Sequence, residues 1–367
     1  MKIPLADPLI GEEEAKAVYE VVKSGWIREG EYVSRFEKEF SKVVGRKYAI
    51  ATSSGTAALH VALAALGVKK GDEVIVPSFT CAPPVSMTLL TGGKVVFADI
   101  EEDTYNLDPE SVKKLVSEKT KVIIPINYAG HPAQLDFLEE IAEESGIYLL
   151  NDAAEALGAR YMGKDVASFG DIVIFSFSPN KTITTGEGGM IVTDDEELAE
   201  KARIIKDYGQ KERFNNIEIG NNYHMTEMQA AIGLVQLKKL EEIVKRKRRN
   251  AKMLSDELSD IEEIKIPIEM NECKHVYCLY SIRVLKGDRD KVMKMLDSAG
   301  IQTRIYFPPV HKTPMMRRYG YKADSLKKTE KVANTILSLP SSPKLTEDDI
   351  AYISKVMHNI FYGGSSQ

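Results

Sequence analysis

Three polar groups stand where short apolar runs end, and their types could do chemistry together. Lys181 follows the β-branched and aromatic run at 172–175 and the break at Ser178-Pro179, and it precedes Gly186, Gly188 and Gly189. Lysine is costly to bury, so one set between two core strands, beside glycines that admit a ligand's close approach, is a candidate reactive amine. A solvated loop lysine is the other reading. Asp152 ends the apolar run at 147–150, within Asn151-Asp152-Ala153-Ala154-Glu155. A carboxylate at a buried strand end either holds a cation or caps the alanine-rich turn that follows it. The turn Thr52-Ser53-Ser54-Gly55-Thr56 leads a strand at 48–51 into a helix N-terminus. Free amides, hydroxyls and a glycine there suit an anion, although Ser and Thr also cap helices for purely structural reasons. With no GK[ST] after the turn, the anion is a single phosphate rather than a triphosphate. A phosphate cradle, a strand-end carboxylate and a loop lysine are the three fixtures that pyridoxal 5'-phosphate requires. They anchor its phosphate, keep its ring nitrogen protonated and bond its aldehyde.

The elements that must position these groups follow from periodicity. Apolar runs at 48–51, 74–76, 95–98, 121–126, 148–150, 172–175 and 190–192 read as strands, with helical stretches at 56–66, 108–118 and 134–144 between them. Such alternation predicts an α/β fold with a mostly parallel central sheet covered by helices, and ligands at the strand carboxyl ends. Helices are also expected at 11–23 and, with Val33, Phe36 and Phe40 on one face, in the segment after Trp26. Trp26 reads either as a substrate contact or as a packing anchor. From Met225 one long helix runs to Leu258. A smaller C-terminal α+β unit follows: a strand at 276–284, a helix at 290–299, a strand-like segment at 301–307, a polar stretch to Lys328, a helix, and a closing helix from Glu347. The tail at 363–367 is expected to fray. At 367 residues the chain exceeds the usual size of one core, and two domains, 1–243 and 244–367, are expected.

Composition narrows the partners. Hydrophobic content of 43%, charged content of 28% and a net charge of −5 spread over both signs argue against nucleic-acid and anionic-membrane partners. Neither a signal-peptide core at the start nor an apolar run of membrane-spanning length is present, so a cytoplasmic location is expected. Cys81, Cys273 and Cys278 read as free thiols. Cys273, His275 and Cys278 lack a fourth ligand, so no metal is expected. The run Lys245-Arg246-Lys247-Arg248-Arg249 reads as a solvated helix face, because Glu241 and Glu242 sit four residues ahead of Lys245 and Arg246.

Five ordered segments resemble a known family. Ser53-Ser54-Gly55-Thr56-Ala57-Ala58-Leu59, Asp152-Ala153-Ala154-Glu155-Ala156, Phe175-Ser176-Phe177 with Lys181, Gly186-Glu187-Gly188-Gly189, and Gly220-Asn221-Asn222-Tyr223 are similar to the motifs of the DegT/DnrJ/StrS sugar aminotransferases. The resemblance runs from Ile3 to about residue 357. It implies the aspartate-aminotransferase fold and a homodimer with active sites at the subunit interface. The implied reaction moves an amino group from L-glutamate to a nucleotide-linked keto-sugar, with pyridoxal 5'-phosphate as cofactor. By the resemblance Lys181 forms the aldimine and moves the proton, Asp152 partners the pyridine nitrogen, and Glu155 lies near the phenolic oxygen. Gly55, Thr56 and Ser176 contact the phosphate, and Asn222 reaches it from the neighbouring subunit. Trp26, Arg28, Tyr306 and His311 fall in substrate-side segments. Two positions depart from the family pattern: Cys81 replaces the usual aromatic residue over the pyridine ring, and His224 replaces a frequent arginine.

Rival readings remain. A dehydratase of the same fold carries histidine in place of the lysine, and Lys181 argues against it. A non-catalytic sensor of the cofactor shares every motif. Ser178-Pro179-Asn180-Lys181 also spells the S-x-x-K of serine acyl-enzymes, but Pro179 disfavours the helical turn that this chemistry needs, and its companion motifs are missing.

Overall fold

The computed structural model describes residues 2–321 and 326–363. Its centre is a seven-stranded sheet made of β1 (Tyr48–Thr52), β2 (Glu73–Pro77), β3 (Lys94–Ala98), β4 (Thr120–Ile123), β5 (Tyr148–Asp152), β6 (Ile172–Ser176) and β7 (Gly189–Thr193). The spatial order is β1-β7-β6-β5-β4-β2-β3. β7 runs antiparallel to both neighbours and the remaining pairings are parallel, as the alternating pattern predicted. Side chains along β6 alternate between two cores: Val173 and Phe175 join Phe36 and Phe40 on one face, while Ile172 and Ile174 join Val61 and Leu63 on the other. This is the two-sided burial that a continuous apolar strand requires.

Helices α1 (Glu12–Ser24), α2 (Glu31–Val44) and α3 (Gly55–Ala65) lie where expected, with Val33, Phe36 and Phe40 on the buried face of α2. α3 is nearly all apolar and buried on most of its surface, as its alanine-rich sequence predicted. α4 (Glu196–Lys206) follows β7 and leads to a two-stranded hairpin, β8 (Gln210–Glu212) and β9 (Asn215–Asn216).

The single helix expected from Met225 to Leu258 is two: α5 (Glu227–Lys238) and α6 (Leu240–Leu258). At Lys239, φ is −90° and ψ is −3°, and its N–H bonds to Gln236 O at 3.0 Å, a tight turn instead of a helical one. Its side chain reaches α1, pairing with Glu13 at 2.7 Å and Glu14 at 2.8 Å.

A smaller antiparallel sheet, β10 (Ile264–Lys265), β11 (Tyr280–Val284) and β12 (Ile336–Leu339), packs on α6 and the closing helix α7 (Glu347–Tyr362). The strand expected from 276 starts only at Tyr280, because Tyr277 takes a left-handed φ of 49°. The segment at 301–307 forms no strand: Ile301 bridges Ile3, and Arg304 bridges Ser338. Pro308 and Pro309 follow it directly and cannot donate to a ladder. Of the fraying tail, residues 364–367 lie outside the described residues, as do 322–325 of the polar stretch. We propose the domain division at 243/244, which falls inside α6. Ile3 packs in the C-terminal cluster, held by Ile3 N–H to Gly300 O at 2.8 Å and Gln302 N–H to Ile3 O at 2.9 Å. Among the described residues, no helix is long and apolar enough to cross a membrane, and no group of His, Cys, Asp and Glu is arranged to hold a metal.

Candidate active site

The register of three strands assembles the cradle. Thr52 at the end of β1 faces Gly189, and Gly189 faces Ser176 at the end of β6. From Thr52 the chain turns into α3, where the Ser54 hydroxyl caps the helix by accepting the Ala57 N–H at 3.0 Å. The Gly55 and Thr56 amides, in the first turn, have no intrahelical acceptor and are available to an anion. The absence of a side chain at Gly55 is structural: a Cβ there would lie 2.7 Å from Ser176 Cβ and 3.0 Å from its hydroxyl. At Gly189 a Cβ would meet Ser54 O at 2.4 Å. Two glycines therefore bring the helix start against the two strand ends.

Lys181 lies on the loop that joins β6 to β7. Phe177 N–H to Gly188 O and Thr185 N–H to Phe177 O, each 2.9 Å, close the base of that loop, and Phe177 is buried against Phe36 and Phe40. Lys181 Nζ donates to Glu155 Oε1 at 3.0 Å. The other oxygen of Glu155 accepts the Ala129 N–H at 2.7 Å, which fixes the carboxylate from a second loop. Burial pulls the Lys181 ammonium down, but the Glu155 carboxylate outweighs it and holds the lysine above its ordinary range.

Asp152 ends β5 and is 3% exposed. Its Oδ1 accepts the Ala154 N–H at 3.0 Å, a local turn with no helix after it, which removes the helix-cap reading. Burial pushes this carboxyl up to about 7, against the pull of the Ala154 amide and the Lys181 ammonium. Among the described residues it has no ion-pair partner. A buried carboxylate short of a cation, a reactive-type lysine and a cradle that a Cβ would fill are what pyridoxal phosphate needs, so the residues present fit that group. Asp152 would face its ring nitrogen, Gly55, Thr56 and Ser176 its phosphate, and Lys181 its aldehyde.

Cys81 belongs to the same cluster: burial pushes its thiol up to about 12, and Lys181, Asp152 and Glu155 are the nearby charges acting on it. Tyr306 also comes to the site, lining a small cavity beside Lys181, and Tyr128 OH donates to its carbonyl at 2.6 Å. His311 does not. It is 1% exposed, its Nδ1 lies 2.6 Å from Ser78 Oγ and its Nε2 3.4 Å from Glu330. A ring so enclosed has no face for a substrate, and it clamps the 78–81 segment instead.

Among the described residues, no hydrogen bond or ion pair joins Trp26, Arg28 or Asn222 to Lys181, whose side chain is held by Glu155. Trp26 is 63% exposed, so it is not a packing anchor within the chain; with Arg28, Tyr208 and Phe214 it lines a surface cavity of about 800 Å³. Asn222 is exposed, while the next residue, Tyr223, accepts the Ser53 N–H at 2.8 Å and so runs past the cradle. His224 links these segments. Its Nδ1 lies 2.5 Å from Glu29 and its Nε2 3.0 Å from Asp207. Although burial raises it, His224 and Lys206 hold the Glu29 carboxyl down at about 2. The ring thus lies between two carboxylates, each within reach of one of its nitrogens.

Sequence reasoning missed Lys247. The basic run is a solvated face only in part: Arg246 pairs with Glu242 at 2.6 Å as expected, whereas Lys247 is 4% exposed. The signal was available, because Lys247 falls on the stripe of Leu240, Ile243, Val244, Ala251 and Leu254 that faces the core.

Comparison with known proteins agrees with this geometry. The model of the DegT/DnrJ/EryC1/StrS aminotransferase family matches residues 8–358. A GDP-perosamine synthase of Caulobacter vibrioides is 38% identical over 357 residues, covering 95% of each chain. The solved structure of DesV from S. venezuelae superposes with a TM-score of 0.94 at 32% identity, covering 98% of this chain and 99% of that one. The PLP form of the putative sugar aminotransferase Spr1654 from Streptococcus pneumoniae gives a TM-score of 0.94 at 27% identity, covering 98% of each. A match along nearly the whole chain, over a site that fits the cofactor, places this chain in the DegT/DnrJ/EryC1/StrS aminotransferase family of pyridoxal phosphate-dependent enzymes.

Proposed function

We propose that the protein moves the amino group of L-glutamate to a nucleotide-linked keto-sugar, making an amino sugar nucleotide. One observation carries the reading: Lys181, the Glu155 carboxylate 3.0 Å away and the buried Asp152 converge beside the Gly55–Ser176 cradle. Bound pyridoxal phosphate supplies the electron sink that allows a C–N bond to be exchanged. Lys181 Nζ takes the proton from the donor's α-carbon and later delivers one to the sugar carbon. Glu155, held by the Ala129 amide, aims Lys181. Asp152 would hold the proton on the ring nitrogen, and the surrounding burial keeps water from competing.

A sugar-nucleotide acceptor is supported by the likeness to a GDP-perosamine synthase. Exposed Trp26, Phe214, Ile217 and Ile219 support a homodimer, in which Asn222 would reach the partner's phosphate site. Three free thiols accord with a cytoplasmic location. The presence of Lys181 argues against the dehydratase reading. The test is a spectroscopic one on the cofactor-loaded protein. L-glutamate should abolish the visible absorbance of the bound cofactor, and one member of a panel of nucleotide keto-sugars should restore it. Lys181→Ala should do neither. A wild-type protein unaffected by glutamate would favour the sensor.

A further inference from the structure

The small cavity beside Lys181 contains a second cation that the reaction described above does not use. It has a volume of about 20 Å³ and is lined by Lys181, Thr182, Lys247, Tyr306 and Ser341 among others. That is room for one water-sized atom. Lys247 reaches it from α6, and its Nζ donates to the carbonyls of Cys278 and Ser341 at 3.2 Å each and of Tyr277 at 3.5 Å. Among the described residues, none of its hydrogen-bond partners is a carboxylate. Burial pulls this ammonium down, against Cys278 and Glu155. Thr182 is 5% exposed, and its hydroxyl has no partner among the described residues. Asp7 also lines the cavity, but its carboxylate is taken by Lys344 at 2.8 Å.

A buried ammonium whose hydrogen bonds go only to carbonyls is costly, and so is a buried hydroxyl without a partner. Both costs are relieved by the same ligand, an anionic oxygen. We propose that this cavity is the subsite for one carboxylate oxygen of the amino donor, with Lys247 supplying the charge and Thr182 Oγ1 a hydrogen bond. A carboxylate is planar and presents a single oxygen to a one-atom cavity, whereas a phosphate group presents three around one centre and a sugar hydroxyl gains little from the charge. The subsite lies next to the amine of Lys181, where the donor's α-carbon must come. The proposal rests on the aminotransferase reading and deepens it by naming what recognises the donor.

Glutarate is the probe, because it carries the donor's carboxylates and has no amine to react. Its binding to the cofactor-loaded protein is measured by titration calorimetry for wild type, Lys247→Met, Lys247→Arg and Thr182→Val, with the cofactor's visible band and the melting temperature reporting the fold. Lys247→Met should weaken glutarate binding by about thirtyfold or more, the loss expected when one side of a buried charge pair is removed. Thr182→Val should weaken it severalfold, and Lys247→Arg should recover part of the loss. The KM for the keto-sugar should shift far less than the affinity for glutarate. Unchanged glutarate affinity in a folded Lys247→Met, or in Thr182→Val if the methionine variant does not fold, overturns the subsite. So does an equal loss for both substrates. A wild type that consumes glutamate while Lys247→Met does so with unaltered affinity refutes only the subsite; a wild type that never consumes glutamate refutes the aminotransferase reading itself.

Discussion

Replacing Asp152 by asparagine is expected to stabilise the cofactor-free protein while disabling it as an enzyme. The carboxyl titrates near 3.8 in an unfolded chain and at about 7 in the folded one, because burial is not matched by a cation. Between those values the folded state keeps a proton that the unfolded state has released. The stability contributed by the neutral carboxyl is therefore full below about pH 4 and is lost as pH rises through about 7. A shift of roughly 3 units at 1.36 kcal/mol each sets a ceiling of about 4 kcal/mol. An asparagine side chain keeps an oxygen for the Ala154 N–H and has no charge to desolvate. At pH 8, Asp152→Asn should gain about 2–4 kcal/mol, and at pH 4 under about 1. With about 2 °C per kcal/mol for a chain of this size, melting should rise by roughly 4–8 °C at pH 8. Thermal melts of cofactor-free wild type and variant at the two pH values provide the comparison. Pyridoxal phosphate should then bind the variant more weakly, since the ring nitrogen loses its counter-charge. Equal melting temperatures at pH 8 would refute the claim that Asp152 is a carboxylate waiting for a cation.

Three further outcomes are expected. Glu155→Gln removes the partner that holds Lys181 high, so more of the lysine is neutral at pH 7 and the cofactor-free protein should capture pyridoxal phosphate faster, read by stopped-flow absorbance; a slower rate argues against the ion pair. Gly55→Ala puts a methyl 2.7 Å from Ser176 Cβ, and overpacking of about 1–3 kcal/mol should weaken cofactor binding by roughly 5- to 150-fold in equilibrium dialysis. Phe214→Ser combined with Ile219→Asp removes two side chains that are 82% and 89% exposed; sedimentation should shift from dimer towards monomer, and an unaltered dimer would move the interface elsewhere.

Much of the site was legible because its groups sit at or just after strand ends, and the strands were read from short continuous apolar runs. β5 delivers Asp152 by that rule, Gly55 follows from a turn into a helix, and Ser176 at the end of β6 was named by the family resemblance. Features governed by distant packing were not legible. Nothing in the residues around Lys239 marks the break between α5 and α6, since all are helix formers; the break coincides with a side chain drawn to α1. His311 looked like a substrate ligand by its place in a segment, yet its close partner Ser78 comes from 233 residues away in the chain. Ile336–Leu339 follows a helix without a turn signal and becomes a strand only through its partner β11. Lys247 was hidden in a basic run, although the apolar stripe of its helix already pointed it inward.

The central claim, that Lys181 is the amine that bonds the cofactor, is tested most directly by borohydride reduction of the loaded protein followed by peptide mass spectrometry. The pyridoxyl group should appear on the peptide containing Lys181 and be lost in Lys181→Ala. Its appearance on Lys247, the other lysine of the same cavity, or on any other lysine would contradict the assignment.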